Sequence, residues 1–561
     1  MQIIKSVRTL LLFLLPLGAF SQSSYIMQGT KQAEFLNRFE IKSGDPLMNY
    51  STVKPYSRRL TTKQVELVDS LIQAGDPSVA NFTEIDKHNI HSFLMNNSEW
   101  SKPRETYNSK RAFFKNFYAK KANMLEVNVP DFYLALNPVV QYQQSFEKGN
   151  SQNLFYNSRG VSLRGMISRK IGFDFYLTDN QERDPLYVQQ WISGNSAVPG
   201  ARFYKNFKAT GGVDYFDARG SVSLNASKYI DLQLGYDKNF IGDGHRSLFL
   251  SDFSGNALFF KINTRIWKFN YENLFMELIP NGRRSSGGAV LPRKYFRMNY
   301  LSINATKWLN VGLFDAVMFG RKDHFDFQYL IPVLFLRPAE SDIGSGDNAL
   351  VGLNVKANIK KKVQLYGQLI LDEFVAKELT KNRGFWANKF GYQLGLKYPD
   401  VFGISNLDLQ LESNRVRPFT YSHYDTVADY SHFNQPFAHP LGANFQEYIS
   451  ILRYQPLPRL FLQAKMIHYR QGLDSLGTNS GSNVKRNYRT RSRDYGYSVG
   501  GGNTVKSLNA SFLASYELRE NLFLDANVQN RTYNAQLGTN QKTTVFSVGF
   551  RWNMARREFD F

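Results

Sequence analysis

Two stretches in the last third of the chain concentrate side chains that bind sugars and anions. The first, between residues 413 and 446, contains the candidates Tyr421, His423, Tyr424, Asp425, His432 and His439. Aromatic rings stack on sugar faces, and imidazole and carboxylate groups form hydrogen bonds with hydroxyls. The second stretch follows a Gly/Ser/Asn-rich lead and contributes the candidates Arg486, Tyr488, Arg489, Arg491 and Arg493. Because guanidinium forks suit carboxylates and phosphates, the two stretches predict a glycan-binding surface that prefers anionic glycans.

Two other interpretations of these stretches remain open. The side chains of the first could simply pack that loop against the protein, and the charges of the second could form an ordinary solvated face. Three of the eight histidines lie in the first stretch, but their spacing fits no standard zinc pattern and the chain has no cysteine. We therefore expect neither a metal site nor a cofactor.

A third stretch, residues 239–252, contains His245, Ser247 and Asp252, the residue types of a hydrolytic triad. Nothing in their spacing requires them to converge on a substrate. The Gly-x-Gly at positions 242–244 precedes no predicted helix, so a tight loop is favoured over a phosphate cradle. We expect the protein not to be an enzyme, although a barrel enzyme that uses these residues is the competing hypothesis.

These loops must be positioned by strands, in which apolar and polar side chains alternate with a period of two. Across residues 507–516 the even positions are apolar, among them Leu508 and Phe512, and most of the odd positions are small and polar, such as Asn509. The pattern recurs along most of the chain from residue 131, with short and long connections in alternation. It predicts an all-β fold, a transmembrane antiparallel β-barrel of about 18 strands with lipid outside, a wet lumen inside and long extracellular loops.

The N-terminal part of the chain predicts export followed by a helical segment. Residues 1–21 combine Lys5, Arg8, an apolar run about half as long as a membrane span and a small-x-small cleavage pattern, which indicates a signal peptide. Residues 22–124 are predicted to form a mainly helical periplasmic segment. Two capping boxes are expected there, Thr61 with Gln64 and Thr83 with Asp86. Residues 125–561 are assigned to an outer-membrane β-barrel.

Composition fits this assignment and limits the partners. The mean hydropathy of −0.40 is compatible with a membrane barrel, because half of the side chains of every strand are polar. The aromatic content of 15% is typical of the aromatic girdles at the membrane interfaces. The net charge of +22 favours polyanions, namely anionic polysaccharide or lipopolysaccharide. Nucleic acid is not expected, because the chain is exported and shows no nucleic-acid-binding motif.

Three segments resemble the capsule-assembly Wzi family of outer-membrane barrels. They are residues 240–252, residues 329–332 (Tyr-Leu-Ile-Pro) and residues 421–442 with their His-Pro-Leu-Gly ending. Residues 117–139 are more similar to the branch of Bacteroidota labelled gliding-motility protein RemB. The resemblance implies a barrel of about 18 strands that holds capsular polysaccharide at the cell surface or belongs to the gliding machinery. It supplies no catalytic residue.

The resulting hypothesis is a non-enzymatic Gram-negative outer-membrane barrel that binds or organises an anionic surface polysaccharide. The alternative is a channel for small solutes, which would conduct in planar bilayers. A TonB-dependent transporter is disfavoured, because the N-terminal segment is too short and too helical for a plug domain. A protein partner for the periplasmic helices or the surface loops is left open.

Overall fold

The computed structural model describes residues 24–561 except 111, 113–115, 208–210, 283–289, 323, 333, 345, 382 and 476. The predicted signal peptide, residues 1–21, lies outside the described residues.

Within the described residues, eighteen long strands form one closed antiparallel barrel, which confirms the predicted fold class. Strands adjacent in sequence pair with each other, and the last strand pairs with the first, with Phe546 opposite Phe146. Their bounds are β1 Phe132–Glu147, β2 Leu154–Ile167, β3 Ile171–Arg183, β4 Gly212–Asn225, β5 Ile230–Asp237, β6 Ala257–Ile266, β7 Phe269–Leu278, β8 Lys294–Asn304, β9 Leu309–Phe319, β10 Asn348–Ile359, β11 Val363–Glu373, β12 Lys389–Tyr398, β13 Leu407–Val416, β14 Phe445–Leu457, β15 Leu460–Leu473, β16 Asn503–Arg519, β17 Leu522–Ala535 and β18 Gln541–Trp552.

The barrel wall explains the period of two in the sequence. On β16 the side chain of Phe512 is 50% exposed on the outer surface, whereas Asn509 and Ser515 are buried and face inward. A soluble protein rarely exposes contiguous apolar surface on this scale, and the apolar exterior instead matches hydrocarbon.

Connections of two kinds alternate around the barrel. Short turns join strands at one end, which we call the short-turn end, at residues 168–170, 226–229, 267–268, 305–308, 360–362, 399–406, 458–459 and 520–521. The opposite end, the long-loop end, carries the connections 148–153, 184–211, 238–256, 279–293, 320–347, 374–388, 417–444, 474–502 and 536–540. Candidate glycan-binding residues therefore all lie at or below the long-loop end. The predicted alternation fails at the two connections that flank the closing strands, because 148–153 and 536–540 are shorter than the turn 399–406.

The N-terminal segment packs against the short-turn end. Its helices are α1 Lys31–Ser43, α2 Arg58–Gln73 and α3 Glu84–Asn96. Arg38 on α1 pairs with Asp86 at 2.7 Å and with Asp400 in a short turn of the barrel at 2.7 Å. Burial disfavours the Asp86 carboxylate, but Arg38 and Lys42 outweigh it and lower its pKa to about 2. The ion pairs thus tie the helical segment to the barrel.

The predicted capping box of Thr83 and Asp86 is present at the start of α3. The predicted box of Thr61 and Gln64 is wrong, because α2 begins at Arg58 and the Thr61 hydroxyl donates to the Ser57 carbonyl within the helix. Helix α1 was not predicted.

Shorter elements complete the chain. The remaining helices are α4 Leu186–Asn195, α5 Arg337–Asp342 and α6 Ala376–Leu379, with 3-10 turns at Pro46–Thr52, Pro77–Val79, Glu105–Tyr107, Phe327–Leu330, Val401–Gly403 and Tyr488–Thr490. Two-to-five-residue strands occur at Tyr25–Ile26, Val53–Lys54, Tyr56–Ser57, Leu125–Val129, Lys205–Phe207, Phe240–Ile241, Ser431–His432 and Gln435–Pro436. No helix among the described residues has the length and apolar character needed to cross a membrane.

The lumen is filled by segments from both ends of the barrel. The connection 238–256 folds inward, and Phe240–Ile241 pairs with Val53–Lys54 of the N-terminal segment. Phe249 of this connection stacks on Phe314 of β9 with ring centroids 4.4 Å apart. The expectation of a wet lumen is therefore correct only in part, because inward side chains of β6 to β11 join these segments in an apolar core.

The C-terminal tail occupies the lumen as well. Strand β18 ends at Trp552, and residues 553–561 turn back into the barrel. Arg557 donates to the Glu182 carboxylate on β3 at 2.6 Å. The ring of Phe561 packs against Trp191 of α4 with centroids 5.5 Å apart. The charged residues before Phe561 therefore belong to an internal tail, not to a bulged last strand.

Candidate functional site

Three long loops meet at the long-loop end, namely residues 374–388, 417–444 and 474–502. The Trp386 amide donates to the Asp494 carbonyl at 2.9 Å, and the Gly496 amide donates to the Arg383 carbonyl at 2.8 Å. The Asn487 side chain donates to the Tyr424 carbonyl at 2.7 Å. These bonds join loops that are distant in sequence into one surface.

Cations and aromatic rings alternate on this surface. The Arg489 guanidinium lies 4.3 Å from the centroid of Tyr424, and that of Arg491 lies 3.8 Å from the centroid of Trp386. Each distance is within the range of a cation–π contact. We define the arginine–aromatic patch as Arg383, Trp386, Tyr424, Tyr488, Arg489, Arg491, Arg493 and Tyr495.

The arginines of the patch differ in how far their charge is neutralised. Arg491 pairs with Asp494 at 2.8 Å, and Arg383 pairs with Glu378 at 3.3 Å. Arg489 and Arg493 are exposed, and no carboxylate of a described residue lies within ion-pair distance of either. Arg493 donates one bond to the Gly496 carbonyl at 3.2 Å, and the remaining donors of both guanidinium groups are available to an external carboxylate or phosphate.

The side chains at the centre of the patch are partly shielded from solvent. The Lys389 amine lies 4.0 Å from the centroid of Tyr488, and the Trp386 ring lies 4.9 Å from that of Tyr488. Burial, with Glu373 nearby, raises the pKa of Tyr488 to about 12. Its phenol stays protonated at neutral pH and can donate a hydrogen bond to a sugar oxygen.

Several predicted site residues lie beneath the patch and not on it. Tyr421 is buried, and its hydroxyl donates to the Leu248 carbonyl at 2.7 Å. His439 is buried and bonded to Glu447 at 2.8 Å, and burial lowers its pKa although Glu447 favours the charged form. These contacts fasten the loop 417–444 onto the segment that fills the lumen.

His432 and His423 are also buried. The Ile279 amide donates to Nδ1 of His432 at 3.0 Å, and burial lowers the pKa of this imidazole to about 4. Burial also lowers the pKa of His423, which lies against the ring of Tyr424. Both side chains are thus neutral at pH 7.

The remaining predicted residues have local roles as well as a place near the patch. Asp425 accepts from the Val427 amide at 2.9 Å, which closes a turn beside Tyr424. Arg486 pairs with Asp474 at 3.2 Å within its own loop.

Arg383 and Trp386 are not among the residues predicted from the sequence. They come from the loop 374–388, whose short Arg-Gly-Phe-Trp run at 383–386 has the same cationic and aromatic character as the predicted loops. That run was the signal that could have identified them.

The three residues of the segment 239–252 that could have formed a hydrolytic triad contact different partners. Nε2 of His245 lies 2.9 Å from the Asp560 carboxylate of the tail, while the Ser247 hydroxyl donates to the Ile241 carbonyl. The backbone carbonyl of Asp252 accepts from the Lys238 amine at 2.7 Å. In the part of the chain that the structure describes, no group of three or more His, Asp or Glu side chains is arranged to hold a metal ion.

No protein-family model matches the sequence, and neither does any curated protein. The fold is similar to that of Wzi from Escherichia coli, described as a carbohydrate-binding β-barrel of the outer membrane involved in group 1 capsule assembly. The TM-score is 0.55 at 12% identity, with 96% of this chain and 100% of Wzi covered. Pseudomonas aeruginosa OprD gives a TM-score of 0.41 at 11% identity over 75% of this chain and 94% of its own. Acinetobacter baumannii OccAB4 gives 0.39 at 10% identity, covering 76% of this chain and 98% of its own. The similarity to Wzi establishes a shared barrel fold.

Proposed function

We propose that this protein is a non-enzymatic outer-membrane barrel that binds or organises an anionic surface polysaccharide through the arginine–aromatic patch. The observation that carries the proposal is the pair of exposed, carboxylate-free arginines, Arg489 and Arg493, set among aromatic faces. Such a surface offers charge-assisted hydrogen bonds to uronate or phosphate groups and stacking to sugar rings. Wzi, the barrel of similar fold, is described as carbohydrate-binding, which agrees with this proposal.

The orientation follows from the same proposal. The long-loop end faces the cell exterior, where capsular polysaccharide or lipopolysaccharide is found, and the apolar belt contacts outer-membrane lipid. Residues 1–21 are removed on export, and residues 22–124 lie at the short-turn end in the periplasm. There they are available to a protein partner, and a role in RemB-like gliding or adhesion would use the same surface chemistry.

A channel for small solutes is the alternative function. The structure disfavours it, because the N-terminal segment, the connection 238–256 and the tail 553–561 occupy the lumen. A conducting barrel would show stable current steps in planar bilayers, whereas the proposed protein stays nearly silent.

The test compares binding of an acidic and a neutral polysaccharide. Full-length protein in detergent is titrated with alginate, a polyuronate, and with dextran. We expect binding of alginate that weakens as salt rises, with little binding of dextran. The triple variant Arg489→Ala, Arg491→Ala, Arg493→Ala should lose at least about tenfold in affinity for alginate.

A matched control removes three exposed arginines from the short-turn end, Arg169, Arg459 and Arg519, each to Ala. Net charge falls by the same amount in both triple variants. Equal affinities for the two variants would mean that net charge and not the patch drives binding, and undiminished alginate binding by the patch variant would refute the assignment.

A further inference from the structure

A cavity of about 370 Å³ remains inside the filled barrel. It lies between the N-terminal segment, the connections 184–211 and 238–256, the C-terminal tail and two parts of the inner wall, formed by β2 to β5 and by β12 to β15. Its volume is within the range of roughly 300–1,000 Å³ found for small-molecule sites. The arginine–aromatic patch contributes none of the residues that line it.

A buried cluster at one side of the cavity holds more lysines than carboxylates. Lys356 lies 2.9 Å from Glu40 and 3.0 Å from Asp243, so both acidic groups already have a cation. Lys54 and Lys397 lie near the same pair and line the cavity. The cluster thus contains three lysines for two carboxylates.

The two additional lysines are poorly compensated. Lys54 is 5% exposed, and its amine lies over the Phe240 ring at 4.7 Å. The Lys397 amine contacts the Asn37 amide oxygen at 3.1 Å. Within the described part of the chain, neither amine has a carboxylate at ion-pair distance. Burial lowers the pKa of Lys54 although Asp243 and Glu40 favour its charged form, which agrees with incomplete compensation of the lysine charges.

Two further side chains of the cavity lining have polar atoms without partners. Asn239 is 3% exposed, and neither its amide oxygen nor its amide nitrogen has a hydrogen-bond partner among the described residues. The half-buried Arg453 donates from one terminal nitrogen to the Gln410 amide oxygen at 3.1 Å, but its Nε has no partner and it forms no ion pair with a described carboxylate. A buried polar group without a partner is costly, and a buried charge without one is more so.

We propose that the cavity binds a small, hydroxyl-bearing anion, such as an acidic or phosphorylated monosaccharide, with its charged group between Lys54, Lys397 and Arg453. A carboxylate or phosphate there supplies the missing negative charge, and the hydroxyls offer partners to Asn239 and Gln410. This site lies in the lumen and goes beyond the polysaccharide binding proposed for the outer surface.

The test titrates full-length protein in detergent with glucuronate, glucose 6-phosphate and glucose by calorimetry. We expect at least one of the two anions to bind and glucose not to bind, and the two anions distinguish a carboxylate site from a phosphate site. Lys397→Gln should weaken anion binding by about tenfold or more, as expected when a charged hydrogen bond is lost. Lys397→Arg, which keeps the charge, should retain most of it.

The control Lys63→Gln removes an exposed lysine from α2 and should bind like the wild type. Arg453→Gln serves as a second loss variant if Lys397→Gln does not assemble. The triple patch variant should keep the small-anion site, so failure of this proposal is distinguishable from failure of the surface proposal. Absence of binding by both anions, or unchanged binding by Lys397→Gln or Arg453→Gln, would overturn the inference.

Discussion

Individual arginines of the patch act through geometry as well as charge. Arg489 has its planar guanidinium on Tyr424 and its edge free for a ligand. Lysine at this position keeps the charge but loses the fork and the stacking. We expect Arg489→Lys to weaken alginate binding by about threefold and Arg489→Ala by about tenfold, in the same titration at constant salt. Equal affinities of the lysine and arginine forms would show that only net charge matters at this position.

A buried histidine makes the patch loops sensitive to acid. The pKa of His432 is about 4 in the folded protein, compared with a usual value near 6.5. The unfolded chain therefore binds more protons between these values, so stability is complete above about pH 6.5 and falls as the pH approaches 4, by on the order of 3 kcal/mol.

The matched variant is His432→Gln, which keeps an amide donor and acceptor but does not titrate. Thermal unfolding midpoints measured from pH 7 to pH 4 should fall less steeply for this variant than for the wild type. Parallel pH profiles of the two proteins would contradict the assigned role of His432.

At the scale of elements, the C-terminal tail is predicted to stabilise the barrel from within. Asp560 contacts His245 at 2.9 Å and Arg246 at 3.0 Å, and it also pairs with Lys465 on β15. Asp560→Ala removes one of two carboxylates that pair with Arg246 and one of two that pair with Lys465, so that only Glu447 and Glu558 remain as counter-charges. Breaking buried ion pairs costs up to about 3–5 kcal/mol. We expect a clear drop in the temperature at which the folded, fast-migrating form is lost on gels.

The control for the tail is Asp179→Ala, which breaks an exposed pair with Arg159 at 3.0 Å. Surface pairs contribute about 0–1 kcal/mol, so this variant should behave almost like the wild type. Similar transition temperatures for the two variants would mean that the tail does not support the barrel.

The sequence was most informative about the barrel wall. Polar and apolar side chains such as Asn509 and Phe512 alternate because one face of the wall meets the lumen and the other meets lipid. Strand number and most of the order of short and long connections were therefore predictable. The ends of the helices were harder to predict. The capping box at Thr83 was visible in the sequence, but α2 starts at Arg58, directly after the strand pairing of Tyr56 and Ser57 with residues 25–26.

Contacts between distant segments could not be predicted in the same way. The loop 474–502 was recognisable from its arginines, but its contact with Trp386 depends on backbone bonds between separate loops. The burial of Tyr421 and His439 depends on the segment 238–256 folding into the lumen. No local pattern in either stretch specifies such a long-range contact.

In the molecule as a whole, the two ends of the barrel are proposed to face different compartments. The short-turn end carries the helical segment and its ion pairs, and the long-loop end carries the arginine–aromatic patch. The chain contains no cysteine, so single cysteine substitutions provide unambiguous labelling sites at either end.

The most direct measurement is labelling of Ser492→Cys and Arg459→Cys variants on intact cells with a membrane-impermeant maleimide. Ser492 lies between Arg491 and Arg493, so its substitution leaves every residue of the patch in place, and positions 492 and 459 are exposed at the long-loop and short-turn ends, respectively. We predict labelling at position 492 that added alginate suppresses and dextran does not, with position 459 labelled only after the cells are broken. Labelling at position 459 but not 492 on intact cells would contradict the orientation, and labelling at position 492 that alginate leaves unchanged would contradict polysaccharide binding at the patch.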